Sequence, residues 1–553
     1  MKGECRMKKL VALVLAAILA LSSACALAED KIIVRIMREA QNIWFPEGED
    51  LDHNALIEYV EDKLGIDFVT EWTADSGAYA QQINMKIASD DLPDMFYATT
   101  AQMSRLYEYG MIQPIGQYFE EYLSEDALKR LNYGNGSFLA GCTFDGEIYG
   151  FPCPDDFRGD MPFLFVRQDW LDNLGLSYDI NNFTLDDLLE MCEAFTNGDP
   201  DGDGENNTYA MEFDALSSSG ITGFGLAHAL GLQTNIWVEN AEGKLEYTDI
   251  REENKAYLKL LQTLYQKGYI PSEYISMSYW SQGTTELAKS KCGIFTGYFW
   301  SGLGAPEIAC QTDPNIKFTV FPIPRNPDGE YRLQSGIKNS KFLVVNANYE
   351  HPEAAVRYMA LWQDMWTGNG EEAELFHSLN GNEYAKAEED FKYYVPFFWG
   401  GVFSNQEISD AIVAAIELGS DEVIKNDHHA YKEYQHVMNY LNHVVDENGE
   451  IDWYGFAQYY NFCESGVISH KLYGGADGEY VIDLTSAIAL PEDLASIKSL
   501  LNDLRYEYYN KIIMGADLDA TFAEYVSQWH AIGGDQVAAY YNEWYAVNGA
   551  KFK

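Results

Sequence analysis

A chain of 553 residues is too long for one hydrophobic core and calls for at least two domains. Hydrophobic residues at 47% and aromatics at 14% are ample for burial, which excludes wholesale disorder. A formal net charge of -49 repels phosphate backbones and anionic headgroups, so neither nucleic acid nor a lipid surface is an expected partner.

The chain opens with an address rather than structure. Lys8 and Lys9 precede an apolar run from Leu10 to Leu21, and CALAED follows. That order fits a secretory signal peptide over residues 1–28, cut after Ala28. Lipidation at Cys25 is the competing route, but Leu21 stands one position too early for the usual lipoprotein signal. The expected location is therefore exported, either extracellular or at the cell surface. Six cysteines follow the signal (Cys142, Cys153, Cys192, Cys292, Cys310 and Cys463), with no CxxC among them. Their scattered spacing suits buried free thiols better than a disulfide framework.

KIIVRIM (31–37) reads as a strand with nearly continuous apolar residues, as a buried parallel strand requires. LIEYVEDKLGI (56–66) has helical spacing, IDFVTEW (66–72) returns to a strand, AYAQQINMKIAS (78–89) is a helix, and DLPDMFYAT ends in a third strand. This alternation predicts an α/β fold with a parallel sheet covered by helices. After Gly370 the chain becomes mainly helical and rich in tyrosine, and no internal repeat interrupts it.

FTLDDLLEMCEAF (183–195) has Thr184 and Asp187 in capping-box spacing, followed by a stripe of Leu185, Leu188, Leu189 and Cys192. This helix delivers the chain into DPDGDGENN. Asp199, Asp201 and Asp203 fall at positions 1, 3 and 5 of a calcium loop, with Gly204 at the turn position. Glu205 would offer its carbonyl at position 7 and Asn207 a side-chain oxygen at position 9. Position 12 is Ala210, where a sensor loop would carry glutamate, and TYAMEF beyond it looks extended. A structural calcium clip over 199–207 is the expectation, with Glu212 or water as last ligand; an ion-free acidic turn is the alternative. HHAYKEYQH (428–436) has helical spacing between histidines and reads as a solvated helix face.

ASDDLPDMFY (88–97), FVRQDWLDNLGL (165–176), YLKLLQTLYQKGYIPSEY (257–274), ELAKSKCGIFTGYFWSG (286–302) and FLVVNANYEHPEAAVRYM (342–359) follow one another in order. Together with the tail YYNKIIMGADLDATFAEYVSQWHAIGGDQVAAYYNEWY (508–545), they resemble the extracellular solute-binding proteins of carbohydrate ABC importers, in their large lipoprotein branch. The resemblance implies a two-lobed, type II periplasmic-binding-protein-like fold with a helical C-terminal region. It implies one lobe from 29–154 and 302–366, and a second from 155–301 and 367–553. It further implies a monomer that captures an oligosaccharide, expected to be neutral, between the lobes and hands it to ABC permease subunits, with structural calcium far from the cleft.

Ligands in open α/β sheets sit beyond the carboxyl ends of strands. Trp44 and Tyr97 follow or end such strands, and Trp300 lies in the Gly-flanked aromatic cluster after CGIFTG. Trp399 sits in YYVPFFWGG, and Asp156, in the crossover PCPDDF, could accept hydrogen bonds from sugar hydroxyls. These five are the candidate cleft residues; core packing is the alternative for each aromatic. A secreted glycoside hydrolase is the rival class, but HExxH and GxSxG are absent and 86 acidic residues make any carboxylate pair uninformative. A peptide-binding receptor of the same fold and a calcium-containing adhesion protein remain further alternatives.

Overall fold

Strand β1 (Ile32–Glu39) opens the first lobe, paired in parallel with β2 (Ile66–Ala74) and with β3 (Met95–Ala98). The computed structural model describes residues 31–549 except 40–42, 155–160, 214–220, 278–283, 337–340, 368–369, 382–383, 385–390, 401–403, 447, 475–477, 484 and 486–487. The helix Ala55–Leu64 between the first two strands is capped by Asn54, whose side chain accepts from the amides of Leu56 and Ile57. Its Leu56, Ile57 and Val60 are buried. The predicted alternation of strand and helix holds through this region.

Further along the chain come β4 (Gly150–Pro152), β5 (Phe163–Arg167), β6 (Tyr209–Met211), β7 (Cys292–Gly297), β8 (Phe318–Pro322), β9 (Leu333–Gly336), β10 (Phe342–Val345) and β11 (Tyr480–Asp483), besides two short antiparallel pairs, Thr143–Phe144 with Glu147–Ile148 and Trp237–Glu239 with Leu245–Tyr247. Among the described residues the two main sheets are ordered β2-β1-β3-β10-β4 and β8-β5-β7-β6, while β9 pairs with β11 alone. In the first, β10 returns antiparallel between β3 and β4, setting Leu343 opposite Tyr97 and Phe151. In the second, alternate residues of β5 serve opposite faces. Leu164 and Val166 enter one core with Ile294 and Phe321, while Phe163 and Phe165 enter another with Phe295 and Val320. The fold is α/β and two-lobed, as expected.

The lobe boundaries differ from those expected. Residues 302–322 do not rejoin the first lobe, because β8 pairs antiparallel with β5 from Phe318↔Arg167 to Pro322↔Phe163. Nor does the first lobe end at 366, since Phe376, Tyr384, Phe391, Tyr394, Phe397 and Trp399 share its core with Val34 and Phe96. The chain therefore crosses between Cys153 and Met161, between Leu333 and Phe342, and between Trp399 and Ile408. The second and third of these lie some thirty-five residues later than the expected 302 and 367.

The C-terminal helices Glu492–Ile513, Leu518–Ile532 and Gly534–Asn548 pack on the second lobe. Arg505 reaches from the first of them into a fully buried ion pair with Asp249, whose other carboxylate oxygen accepts from Thr234, Asn235 and Asn254. All six cysteines beyond the signal region are free thiols, and five are buried.

Candidate functional site

The carboxyl ends of β1 and β3 are covered by a segment that arrives from far along the chain. Residues 391–400 lie across them, pinned by hydrogen bonds from the sheet and its helices. The Arg38 guanidinium donates to the Tyr393 carbonyl at 2.8 Å. The Tyr97 hydroxyl accepts from the Phe398 amide at 2.6 Å and donates to the Phe398 carbonyl at 3.0 Å. Trp362 and Trp366 donate through their indole nitrogens to the carbonyls of Trp399 and Gly400. This pinning decides which aromatics of YYVPFFWGG face inward. Tyr394, Phe397 and Trp399 are sealed in the core, whereas Tyr393 and Phe398 stay half-buried on the outer side.

Two expected cleft residues are thereby corrected. Tyr97 is 2% exposed because the returning segment covers its strand end, and Trp399 is 1% exposed because its part of that segment packs into the first-lobe core. Burial also drives the Tyr97 hydroxyl well above its ordinary titration range. Trp44 keeps 39% exposure, its carbonyl accepting a hydrogen bond from the Tyr394 hydroxyl. Asp156 lies outside the described residues.

Sequence reasoning named Trp399 in this loop, where Tyr393 and Phe398 are the less buried rings, and it missed a charged pair beside them. Lys341, just before β10, reaches Glu39 at the end of β1 at 2.7 Å, both half-buried. The Lys341 ammonium stands 4.2 Å from the Tyr97 ring centroid and 5.0 Å from that of Phe398. Lys392 approaches the rings of Tyr393 and Phe398 at 5.6 and 5.8 Å. The only sequence signal was position: each charge borders a strand end or the aromatic loop.

In the second lobe, the chain leaves β7 into a turn carrying Tyr298 and Trp300. Their rings stack at 5.4 Å with 24° between planes, and Trp300 remains half-buried. Phe299 points the other way into the core against Phe462, as the core alternative holds. The glycine after this cluster serves packing rather than a ligand. A Cβ at Gly302 would meet the Ala457 carbonyl at 2.5 Å and Asn461 Oδ1 at 2.6 Å, so only glycine lets the turn dock on that helix. Of the five candidates, Trp44 and Trp300 thus retain accessible ring, one in each lobe.

The acidic loop is built as expected from its helix onward. Thr184 and Asp187 form the capping box, and Leu188, Met191, Cys192 and Phe195 bury the inner stripe. The loop turns through left-handed conformations at Asp199, Gly202 and Gly204, and both Asp199 oxygens accept from the Gly204 amide. Asp203 accepts from the Glu205 amide at 2.7 Å and from the Asn207 side chain at 2.9 Å. The Asn207 contact, then the Glu205 amide, holds the Asp203 carboxyl below its ordinary range. One oxygen from each of Asp199, Asp201 and Asp203 lies within 4.8 Å of the others. Asp201 Oδ1 and Asn207 Oδ1 are shielded from solvent and accept no hydrogen bond. Oxygens arranged this way fit a hard cation such as calcium. Thr208 is turned away, donating to the Phe195 carbonyl, and buried Glu212 stands outside the three-aspartate cluster. The loop runs into β6 rather than a helix, as TYAMEF implied.

The histidine helix is not a solvated face. His429 on helix His428–Leu441 stacks on His377 of helix Glu371–Gly381 at 4.6 Å, with Trp366 edge-on at 4.9 Å. These helices belong to different lobes.

FusA of Streptococcus pneumoniae, a fructooligosaccharide ABC transporter substrate-binding protein, is 25% identical over 318 residues, 54% of this chain and 56% of FusA. YtcQ of Bacillus subtilis, a polygalacturonan/rhamnogalacturonan-binding protein, is 25% identical over 340 residues, 60% of this chain and 64% of its own. The chain thus spans between half and two thirds of the length of these two relatives. The solved structure of FusA with kestose superposes with a TM-score of 0.59 at 18% identity, covering 94% of this chain and 99% of that one. A FusA EF-hand mutant with fructo-nystose gives 0.57 at 17% over the same shares. A human-milk-oligosaccharide-binding protein (HMO) from Bifidobacterium longum infantis gives 0.60 at 15%, again over 94% and 99%. These likenesses share the two-lobed fold. The family model for bacterial extracellular solute-binding proteins matches residues 52–365, and the chain belongs to that family.

Proposed function

We propose that this protein is the substrate-binding component of an ABC importer, holding an oligosaccharide between its lobes and delivering it to permease subunits without turnover. One observation carries the reading. Each main sheet has half-buried aromatics near its strand ends, Tyr393 and Phe398 in the first lobe and, in the second, Trp300 stacked on buried Tyr298. Strand ends are where such sheets hold ligands, and flat aromatic faces suit the CH surfaces of sugar rings. The names of FusA and the Bifidobacterium protein, both oligosaccharide binders, agree with it.

Three finer readings accompany it. Asp199, Asp201 and Asp203 hold a calcium ion, with the Glu205 carbonyl and Asn207 completing the site; the cation would offset the mutual repulsion of the carboxylates. The chain acts as a monomer outside the membrane after losing residues 1–28. Trp44, Trp300 and Asp156 contact the sugar.

Calorimetric titration against a panel of oligosaccharides tests the central claim. Trp300→Ala is expected to weaken binding about tenfold, the scale of one aromatic contact of about 1.4 kcal/mol, while leaving the melting curve in place. Unchanged affinity in both Trp300→Ala and Trp44→Ala, or release of shortened products, sinks the reading.

A further inference from the structure

We infer that the first-lobe floor is built for an anionic saccharide, one carrying carboxylates or sulfate esters; this rests on the oligosaccharide reading and narrows it. Acidic residues outnumber basic ones 86 to 37 along the chain, so an average surface patch is negative. The floor departs from that balance. Lys341 and Lys392 both converge on the Phe398 ring, and Arg38 lies fully buried beneath Tyr393. Glu39 answers Lys341 at 2.7 Å, and Asp52, at 3.8 Å, answers Arg38 together with the nearby Asp50.

The cation left without a carboxylate among the described residues is Lys392, which contacts the faces of Tyr393 and Phe398. A ring face orients an ammonium group without neutralising it. Segment 391–400 lies over the carboxyl ends of β1 and β3, so this charge stands where a ligand would rest. A neutral sugar offers Lys392 only hydroxyl oxygens. An anionic group offers a charge-assisted hydrogen bond, roughly twice as strong. Lys341, paired with Glu39, meets the same Phe398 ring.

The test is calorimetric titration of the full mature chain with two probe sets. One set is oligouronates and their carboxyl-reduced counterparts; the other is sulfated oligosaccharides and their desulfated forms. The expected result is at least tenfold tighter binding of one anionic set than of its neutral counterparts, and the favoured set names the group. Lys392→Met is expected to erase most of that difference, and Lys392→Arg to retain it, with melting curves unchanged in both. Equal or tighter binding of the neutral forms overturns the inference and leaves oligosaccharide capture standing. A difference that survives Lys392→Met overturns it likewise. Binding of neither set, in either form, brings down the capture reading as well.

Discussion

The two lobes solve the same problem by different routes. The first lobe gathers one continuous core around a five-stranded sheet, and the strand ends are roofed by residues 391–400 from the far side of a long excursion. The second lobe has a core on each face of its sheet, and its outer face is held by helices from the last sixty residues. One lobe uses its distant segment to cover strand ends; the other uses it to complete a core. Substitutions in the two distant segments should therefore fail differently, one in binding and the other in folding.

The largest effect is expected at Arg505. Replacing it with methionine strands a fully buried Asp249 carboxylate, which should cost about 3–5 kcal/mol. Scanning calorimetry should show the second lobe melting early and the first unmoved. A single transition, shifted as a whole, would mean that the lobes share one cooperative unit.

Calcium ranks next. Saturation at a hundredfold excess over the dissociation constant stabilises by about 2.7 kcal/mol. A chelator should lower the melting temperature of the second lobe, and Asp201→Ala should abolish that response. An unchanged melting curve would return the loop to an ion-free turn.

The smallest expected effect joins the lobes. Burial, then neighbouring His429 and Lys432, pushes His377 well below its ordinary value; burial, then Lys432, brings His429 to about 3 from 6.5. His428 and Glu433 also face the pair, Glu433 at 3.9 Å from His429. The unfolded histidines take up protons near pH 6.5 and the folded ones do not. The contribution of His429 is therefore complete above that pH and falls as pH drops towards 3, by about 1.4 kcal/mol per unit and so about 2 kcal/mol at pH 5, and His377 acts in the same direction. Melting between pH 7.5 and 5 should follow this slope, and His429→Phe should flatten it. An equal slope in a His377→Phe/His429→Phe double variant would assign the acid sensitivity elsewhere.

What could be read from the sequence was local. The strand–helix alternation from Ile32 to Ala98, the Thr184–Asp187 cap and the turn chemistry of the acidic loop each depend on residues a few positions apart. What could not be read was long-range. Whether Trp399 or Phe398 faces outward is decided by Tyr97 and Trp362, which stand 301 and 37 residues away. The crossing points depended on β8 choosing β5 as partner across roughly 150 residues. Likewise His429 read as a surface residue because its burial comes from a helix in the other lobe.

The three crossings also fix an order of events during synthesis. Chains emerge from their amino ends, and domains fold as units when complete. Strand β10, which stands between β3 and β4, and the roof at 391–400 appear only after β5, β6, β7 and β8 have been made. The nascent first lobe must therefore wait, with the edges of β3 and β4 unpaired, until most of its neighbour has left the ribosome. A chain truncated anywhere before Tyr393 would leave Tyr97 without the Phe398 carbonyl and Arg38 without the Tyr393 carbonyl that they hold in the finished molecule.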